Sequence, residues 1–274
     1  MQFILPDHER LILALDVPNQ VEAGGLIRAT SNSVGMYKVG LQLFLREGYS
    51  FVDDLGRGEI DIMLDLKLHD IPNTVSEAVK QIADLRGVRF FTVHASGGPK
   101  MIEDARAAID KSGRRDLKML AVTVLTSHDR DSLDEIGYEH APDPSYLADD
   151  LARMALNNGA HGIVCAPTDL SRFSILDTSA SDSEPLRSPP RMFPEGTDNP
   201  FFVCPGVRFA DGDVDDQKRV SGPREAIAAG ADYLVIGRPI RNDKNPQKAA
   251  QRFVDAIGQG VADRRENPGE KMRW

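Results

Sequence analysis

A chain of 274 residues, 41% hydrophobic and 27% charged, suits one large α/β domain or two small ones and has an ordinary globular make-up. Its net charge of −9 and pI of about 5.2 argue against a general nucleic-acid or anionic-membrane surface, so any anionic ligand must be held by local donors. Two cysteines, Cys165 and Cys204, no metal-type Cys/His spacing, no signal-type N-terminus and no apolar window of membrane length point to a cytoplasmic protein with neither a disulfide framework nor a membrane span.

The first apolar run, 11–15, ends at Asp16 and leads through Val-Pro-Asn into a helical segment over 20–30. The same strand, loop and helix recur at 35–39 with 41–49, 61–66 with 74–85, 90–94 with 100–111, and 117–124 with 144–157. They continue at 162–165 with 169–176, 201–204 with 223–229, and 233–236 with 246–257. Eight such units suit a single (β/α)8 TIM barrel over 1–260. A doubly wound sheet is the alternative on pattern alone. It is weakened because no Gly-x-Gly-x-x-Gly follows the first strand, and because polar residues recur at strand ends: Asp16, Lys38, Asp65, Lys67, His94, Thr126, Ser127, Arg208 and Arg238. In a barrel these ends converge on one mouth. Residues 179–200, rich in Pro, Ser and charge, read as a mobile insertion in the barrel, and 261–274 as a charged tail that frays.

The third strand carries the densest chemistry. Ile60, Ile62, Met63, Leu64, Leu66 and Leu68 form an apolar run of the kind buried on both faces, yet Asp65 and Lys67 interrupt it on one side of the pleat and Asp70 follows in the next loop. Desolvation can cancel the Coulomb gain of a buried ion pair, so charges at the end of an apolar strand suggest chemistry. A structural salt bridge at the strand end is the plain alternative. A second cluster lies in the last quarter: Cys204-Pro-Gly-Val-Arg208 and Val235-Ile-Gly-Arg-Pro-Ile240. Barrels often bind phosphate after strands seven and eight, where Gly237 lets backbone N–H groups approach and Arg238 offers a charged fork. The acidic residues Asp211, Asp213, Asp215 and Asp216 are expected to face solvent.

Taken together, Ala14-Leu-Asp16, Tyr37-Lys-Val-Gly40, Asp65-Leu-Lys-Leu-His-Asp-Ile-Pro-Asn-Thr74, Thr92-Val-His-Ala95, Leu125-Thr-Ser127, Pro205-Gly-Val-Arg208, Asp216-Gln217 and Gly237-Arg-Pro-Ile240 resemble the orotidine 5'-phosphate decarboxylase family, in its order and over nearly the whole barrel. The resemblance implies conversion of orotidine 5'-monophosphate to UMP without metal or organic cofactor, in a homodimer with two interfacial sites. It implies that Asp16 and Lys38 bind ribose hydroxyls, that Asp65 and Lys67 face the reacting C6, and that Asp70 reaches the partner subunit's site. Thr126 and Ser127 would meet the pyrimidine, and Arg208, Gln217, Gly237 and Arg238 the ribosyl phosphate. Thr74, the last residue of the third-strand signature, joins the substrate-binding set, and Lys38 also counts with the catalytic charges. Two departures stand out: Phe209 where a proline usually follows Pro-Gly-x-Arg, and the 179–200 insertion.

Loss of CO2 from C6 leaves an electron pair on that carbon, which a fixed ammonium both stabilises and protonates. Lys67, flanked by Asp65 and Asp70, has the charge for both tasks. A magnesium-dependent sugar-phosphate decarboxylase or aldolase on the same scaffold would want a carboxylate on the second strand, where this chain has Lys38. A catalytically silent nucleotide-binding protein should lack a charged member at the reacting centre, and none is missing.

Overall fold

The computed structural model describes residues 5–138, 143–173, 200–210, 219 and 221–266. Eight parallel strands close into a barrel in chain order: β1 (Leu11–Ala14), β2 (Met36–Gly40), β3 (Ile62–Leu68), β4 (Val88–His94), β5 (Lys118–Val122), β6 (Gly162–Val164), β7 (Phe201–Cys204) and β8 (Tyr233–Ile236), with β8 pairing back to β1. This is the (β/α)8 barrel expected from the repeating pattern, and the doubly wound alternative is excluded by the closure.

Alternation along each strand builds two separate cores. Ile12, Ala14, Met36, Met63, Phe90, Leu120, Val122, Val164, Val203 and Val235 fill the barrel interior. Residues of the opposite parity, such as Leu11, Leu13, Val39, Leu64 and Phe91, face the surrounding helices. Both faces are therefore apolar, which is why these strands read as continuous hydrophobic runs. At the N-terminal end Phe90, Phe201 and Tyr233 close the interior, with ring centroids 5.2–6.2 Å apart. The opposite end is left open for polar groups.

The helices are α1 (Gln20–Thr30), α2 (Leu41–Arg57), α3 (Pro72–Ala83), α4 (Pro99–Ser112), α5 (Arg130–Glu135), α6 (Pro144–Asn157), α7 (Leu170–Phe173), α8 (Pro223–Ala228), α9 (Arg238–Arg241) and α10 (Pro246–Glu266). Segments over 20–30 and 144–157 fall where the periodicity puts them. Helix α2 runs past the expected 49, because a kink at Gly48 (φ 75°) lets a second helical stretch follow the first. Proline at the first position of α3 starts that helix two residues before the expected 74. Two short helices are additional. A capping box between Asp129 and Ser132 nucleates α5, and α9 begins at Arg238. The last helix corrects the expected boundary of the tail: α10 continues to Glu266, with Val261 packed against the core. The rest of the tail, the 179–199 part of the expected insertion and the acidic residues at 211–216 lie outside the described residues.

Candidate active site

The charges of the third strand sit on a local irregularity. Leu64 pairs with Phe91 and Leu68 with Val93, so four steps along β3 match two along β4. The excess is even, so the pleat keeps its parity: Leu64, Leu66 and Leu68 pack toward the outer core, while Asp65 and Lys67 line the mouth. Lys67 itself adopts a left-handed backbone (φ 49°). Thr92 on β4 secures this turn of chain. Its hydroxyl accepts the Lys67 N–H at 2.9 Å and donates to Asp65 Oδ1 at 2.9 Å.

From this point a chain of alternating charge crosses three strands. Lys67 Nζ lies 2.8 Å from both oxygens of Asp65. Lys38 Nζ on β2 is 3.5 Å from Asp65 Oδ2 and 2.9 Å from Asp16 Oδ1, beyond β1. Gly40 leaves the room for this, since a Cβ there would stand 2.9 Å from the Lys38 ammonium and 3.1 Å from Asp16 Oδ1. Lys38 and Asp65 are each only 8% exposed, so their charges depend on one another rather than on water. Burial disfavours the Asp65 carboxylate, yet the two ammonium groups and the hydrogen bonds from Lys67 and Thr92 outweigh it and hold its pKa below the ordinary value. Nearby His94, at the end of β4, is pushed the other way: burial, then His69 and Lys67, lower its pKa and favour the neutral ring.

The mouth holds a cavity of about 480 Å³. The four charges form one side. The other is built from Val122 at the end of β5 with Val124, Leu125 and Thr126 after it, Cys165 after β6, Pro205–Arg208 after β7, and Gly237, Arg238 and Arg241 after β8. An apolar wall between a charged floor and two arginine-bearing loops suits a planar ring joined to an anionic group. Arg208 is steadied on both sides. Its N–H donates to Ser221 O at 3.1 Å, and its neighbour Phe209 packs on Phe253 (4.6 Å between centroids) under the Arg252 guanidinium (3.9 Å). An aromatic clamp thus fixes the loop where the resemblance would have a proline.

Of the residues singled out from sequence, Asp16, Lys38, Asp65, Lys67, Thr126, Arg208, Gly237 and Arg238 come together around this cavity. Asp70, Thr74 and Ser127 are exposed and do not line it. Lys67 pairs with Asp65 but not with Asp70, so within one chain it is flanked on one side only; the Asp70 carboxylate instead accepts the N–H of Ile71 at 2.7 Å. Gln217 lies outside the described residues. Three polar lining or supporting residues are not among the site residues singled out from sequence. Thr92 was visible only as part of a motif, Gln42 had no signal, and Arg241, which donates to the Asp16 carbonyl, had only its place one turn beyond Arg238.

A closed parallel barrel whose catalytic-end cavity combines lysine–carboxylate pairs with arginine loops defines a barrel enzyme acting on an anionic substrate. The model of the Orotidine 5'-phosphate decarboxylase / HUMPS family matches residues 9–253, and the chain belongs to that family. It is 39% identical over 254 residues to the orotidine 5'-phosphate decarboxylase of Trichlorobacter lovleyi, covering 92% of this chain and 96% of the relative. It is 42% identical over 249 residues to that of Afipia carboxidovorans, covering 91% and 94%. The crystal structure of orotidine 5'-phosphate decarboxylase from Lactobacillus acidophilus superposes with a TM-score of 0.71 at 30% identity, covering 90% of this chain and 98% of that one.

Proposed function

We infer that this chain is a lyase that decarboxylates orotidine 5'-monophosphate to UMP in pyrimidine biosynthesis. The observation that carries the reading is the Asp16–Lys38–Asp65–Lys67 chain at the floor of the cavity. When the C6–carboxylate bond breaks, its electron pair stays on C6. The Lys67 ammonium stabilises that charge and then gives C6 a proton, leaving a neutral amine that solvent reprotonates. Asp65, kept ionised by two lysines, orients the donor, and Lys38 with Asp16 receives the ribose hydroxyls. Thr126 meets the pyrimidine edge, while Arg208, Gly237 and Arg238 take the phosphate.

Asp70 serves the neighbouring subunit's site in a homodimer, a role supported by its exposure outside its own cavity. Large apolar side chains are exposed on the elements after β1, β2 and β3: Val21 (75%), Leu45 (80%) and Ile71 (66%). Such surface is expected where a second copy packs. A cytoplasmic location fits a pyrimidine-synthesis enzyme. No helix among the described residues is long and apolar enough to cross a membrane.

The magnesium-dependent sugar-phosphate reading is disfavoured by Lys38. Its ammonium stands between Asp16 and Asp65, in the place a divalent cation would need. The deciding experiment mixes purified protein with orotidine 5'-monophosphate and follows loss of its ultraviolet absorbance under exhaustive chelation. Full turnover is expected; turnover that collapses with chelator and returns with magnesium overturns the reading.

A further inference from the structure

Outside the charge chain the described residues contain another buried ion pair, and it touches the cavity only through other groups. Arg219 Nη1 donates to Asp169 Oδ1 at 2.6 Å, with side-chain exposures of 12% and 0%. Arg219 Nη2 donates to the carbonyls of Val124 and Leu125 at 3.0 and 3.3 Å. The second Asp169 oxygen accepts the N–H of Ala166 at 3.2 Å. One guanidinium therefore grips the chain leaving β5 and the chain leaving β6. Two residues on, Ser221 forms a parallel bridge with Val207 and accepts the Arg208 N–H, which ties the same segment to the loop after β7.

We propose that Asp169 and Arg219 form a positioning brace that sets the Thr126 side of the cavity relative to the Arg208 side, so that both ends of the substrate are held in register. Neither residue lines the cavity. Val124, Leu125 and Thr126 on one side, and Gly206, Val207 and Arg208 on the other, do. Removing one partner frees both loops at once, whereas the lysine–carboxylate floor on β1 to β4 has its own bonds and stays in place.

Burial makes the Asp169 carboxylate a poor source of fold stability. Burial raises the Asp169 pKa to about 6 even with Arg219 beside it; Asp143 adds to the rise, and the Ala166 N–H opposes it. The other groups facing this site are the Cys165 thiol, and Arg172 acting on Asp143. With a folded pKa above the ordinary 3.8, the contribution of Asp169 to stability is fully present below 3.8 and is lost as pH rises through about 6. The ionised pair at neutral pH is thus kept at a cost to the fold, as buried ion pairs often are.

The test uses the full-length protein and two variants, Asp169→Asn and the milder Arg219→Lys, which keeps a charge but cannot bridge three acceptors. Amide hydrogen exchange is read at Arg208 (bonded to Ser221), His128 (bonded to Leu125) and, as reference, Lys67 (bonded to Thr92). Expected is a joint rise of about tenfold or more at Arg208 and His128 with Lys67 unchanged. In the wild type the same two amides should loosen relative to Lys67 as pH falls through about 6, and this pH response should vanish in Asp169→Asn. The kinetic arm rests on the decarboxylase reading: KM for orotidine 5'-monophosphate should rise roughly tenfold, with kcat changing less. Faster exchange confined to 166–169, or spread equally to Lys67, overturns the brace, as does an unchanged KM. A wild-type protein that does not turn over this substrate overturns the functional reading instead, and the exchange arm still decides the brace.

Discussion

The two halves of the barrel mouth are built by different means. From β1 to β4 the cavity wall is side-chain chemistry: Asp16, Lys38, Asp65 and Lys67 hold one another within 3.5 Å, with Thr92 locking the strand that carries two of them. From β5 to β8 it is loops and backbone: apolar residues after β5, Gly206 and Gly237, and arginines whose placement depends on the chain around them. The first half is held by charges that satisfy one another, with Lys38 and Asp65 buried at its centre and Asp16 and Lys67 nearer the solvent. The second is positioned from behind, by Phe209 against Phe253 and by Arg219 against three acceptors. On the proposed reading, a bond-breaking centre benefits from fixed charges, and the loops that would hold the phosphate take their placement from the contacts behind them.

The sharpest way to break this division is at Lys67. Lys67→Ala should remain folded and bind UMP but lose decarboxylation by roughly 10³-fold or more, beyond the loss seen when one electrostatic donor is removed, because the proton source goes as well. A variant keeping most of its rate in the ultraviolet assay would falsify the assignment. Sharing of the charged half between subunits is tested by mixing: Lys67→Ala and Asp70→Ala proteins, each inactive, should regain up to about a quarter of wild-type activity after subunit exchange, since half the dimers then contain one intact site. No recovery, with exchange confirmed by mass spectrometry, would mean that Asp70 serves its own subunit.

The loop half should respond in binding rather than chemistry. Arg238→Ala should raise KM for orotidine 5'-monophosphate at least tenfold and up to several hundredfold, since charge-assisted hydrogen bonds are worth roughly 1.5–3 kcal/mol each. A phosphate-free substrate, poor for the wild type, should be handled no worse by the variant. Equal losses on both would move Arg238 out of phosphate binding. A smaller effect probes the charged half through acid stability. Asp65 has a folded pKa below its ordinary 3.8, so its stabilisation is present above that pH and is lost as pH falls through the lower folded value. Thermal melts should show wild-type stability falling away below about pH 4 and a flatter acid limb in Asp65→Asn; parallel curves would mean that this carboxylate contributes nothing to acid unfolding.

The charged half was also the more legible in sequence. Period-two alternation puts Asp65 and Lys67 on one face whatever the rest of the chain does, and strand ends in a barrel must converge, so Asp16 and Lys38 follow. What pattern could not supply was the two-residue excess on β3 or the role of Thr92, since both arise from pairing with a neighbouring strand. In the loop half, Arg208, Gly237 and Arg238 were readable as a phosphate-type set, but Arg219 was not. Its partners Asp169, Val124 and Leu125 lie 50, 95 and 94 residues away in the chain, and no local periodicity encodes such contacts. Asp70, Thr74 and Ser127 belong to the recognised motifs yet lie outside this chain's own cavity, because a motif records neighbours in sequence and not the side of a subunit on which each residue emerges.

The left-handed backbone at Lys67 carries a cost that has nothing to do with charge. A residue with a Cβ in that region is disfavoured by roughly 1–2 kcal/mol, and glycine is not. The architecture alone would therefore choose glycine at position 67, and the ammonium is present against the preference of its own peptide unit. Two substitutions separate these demands. Lys67→Ala and Lys67→Gly both abolish the donor, but the glycine variant should unfold at higher denaturant by an amount equivalent to roughly 1 kcal/mol. Among variants that already lack the ammonium, selection for stability should thus favour glycine over alanine at 67, whereas the lysine offsets its backbone cost through its pairing with Asp65.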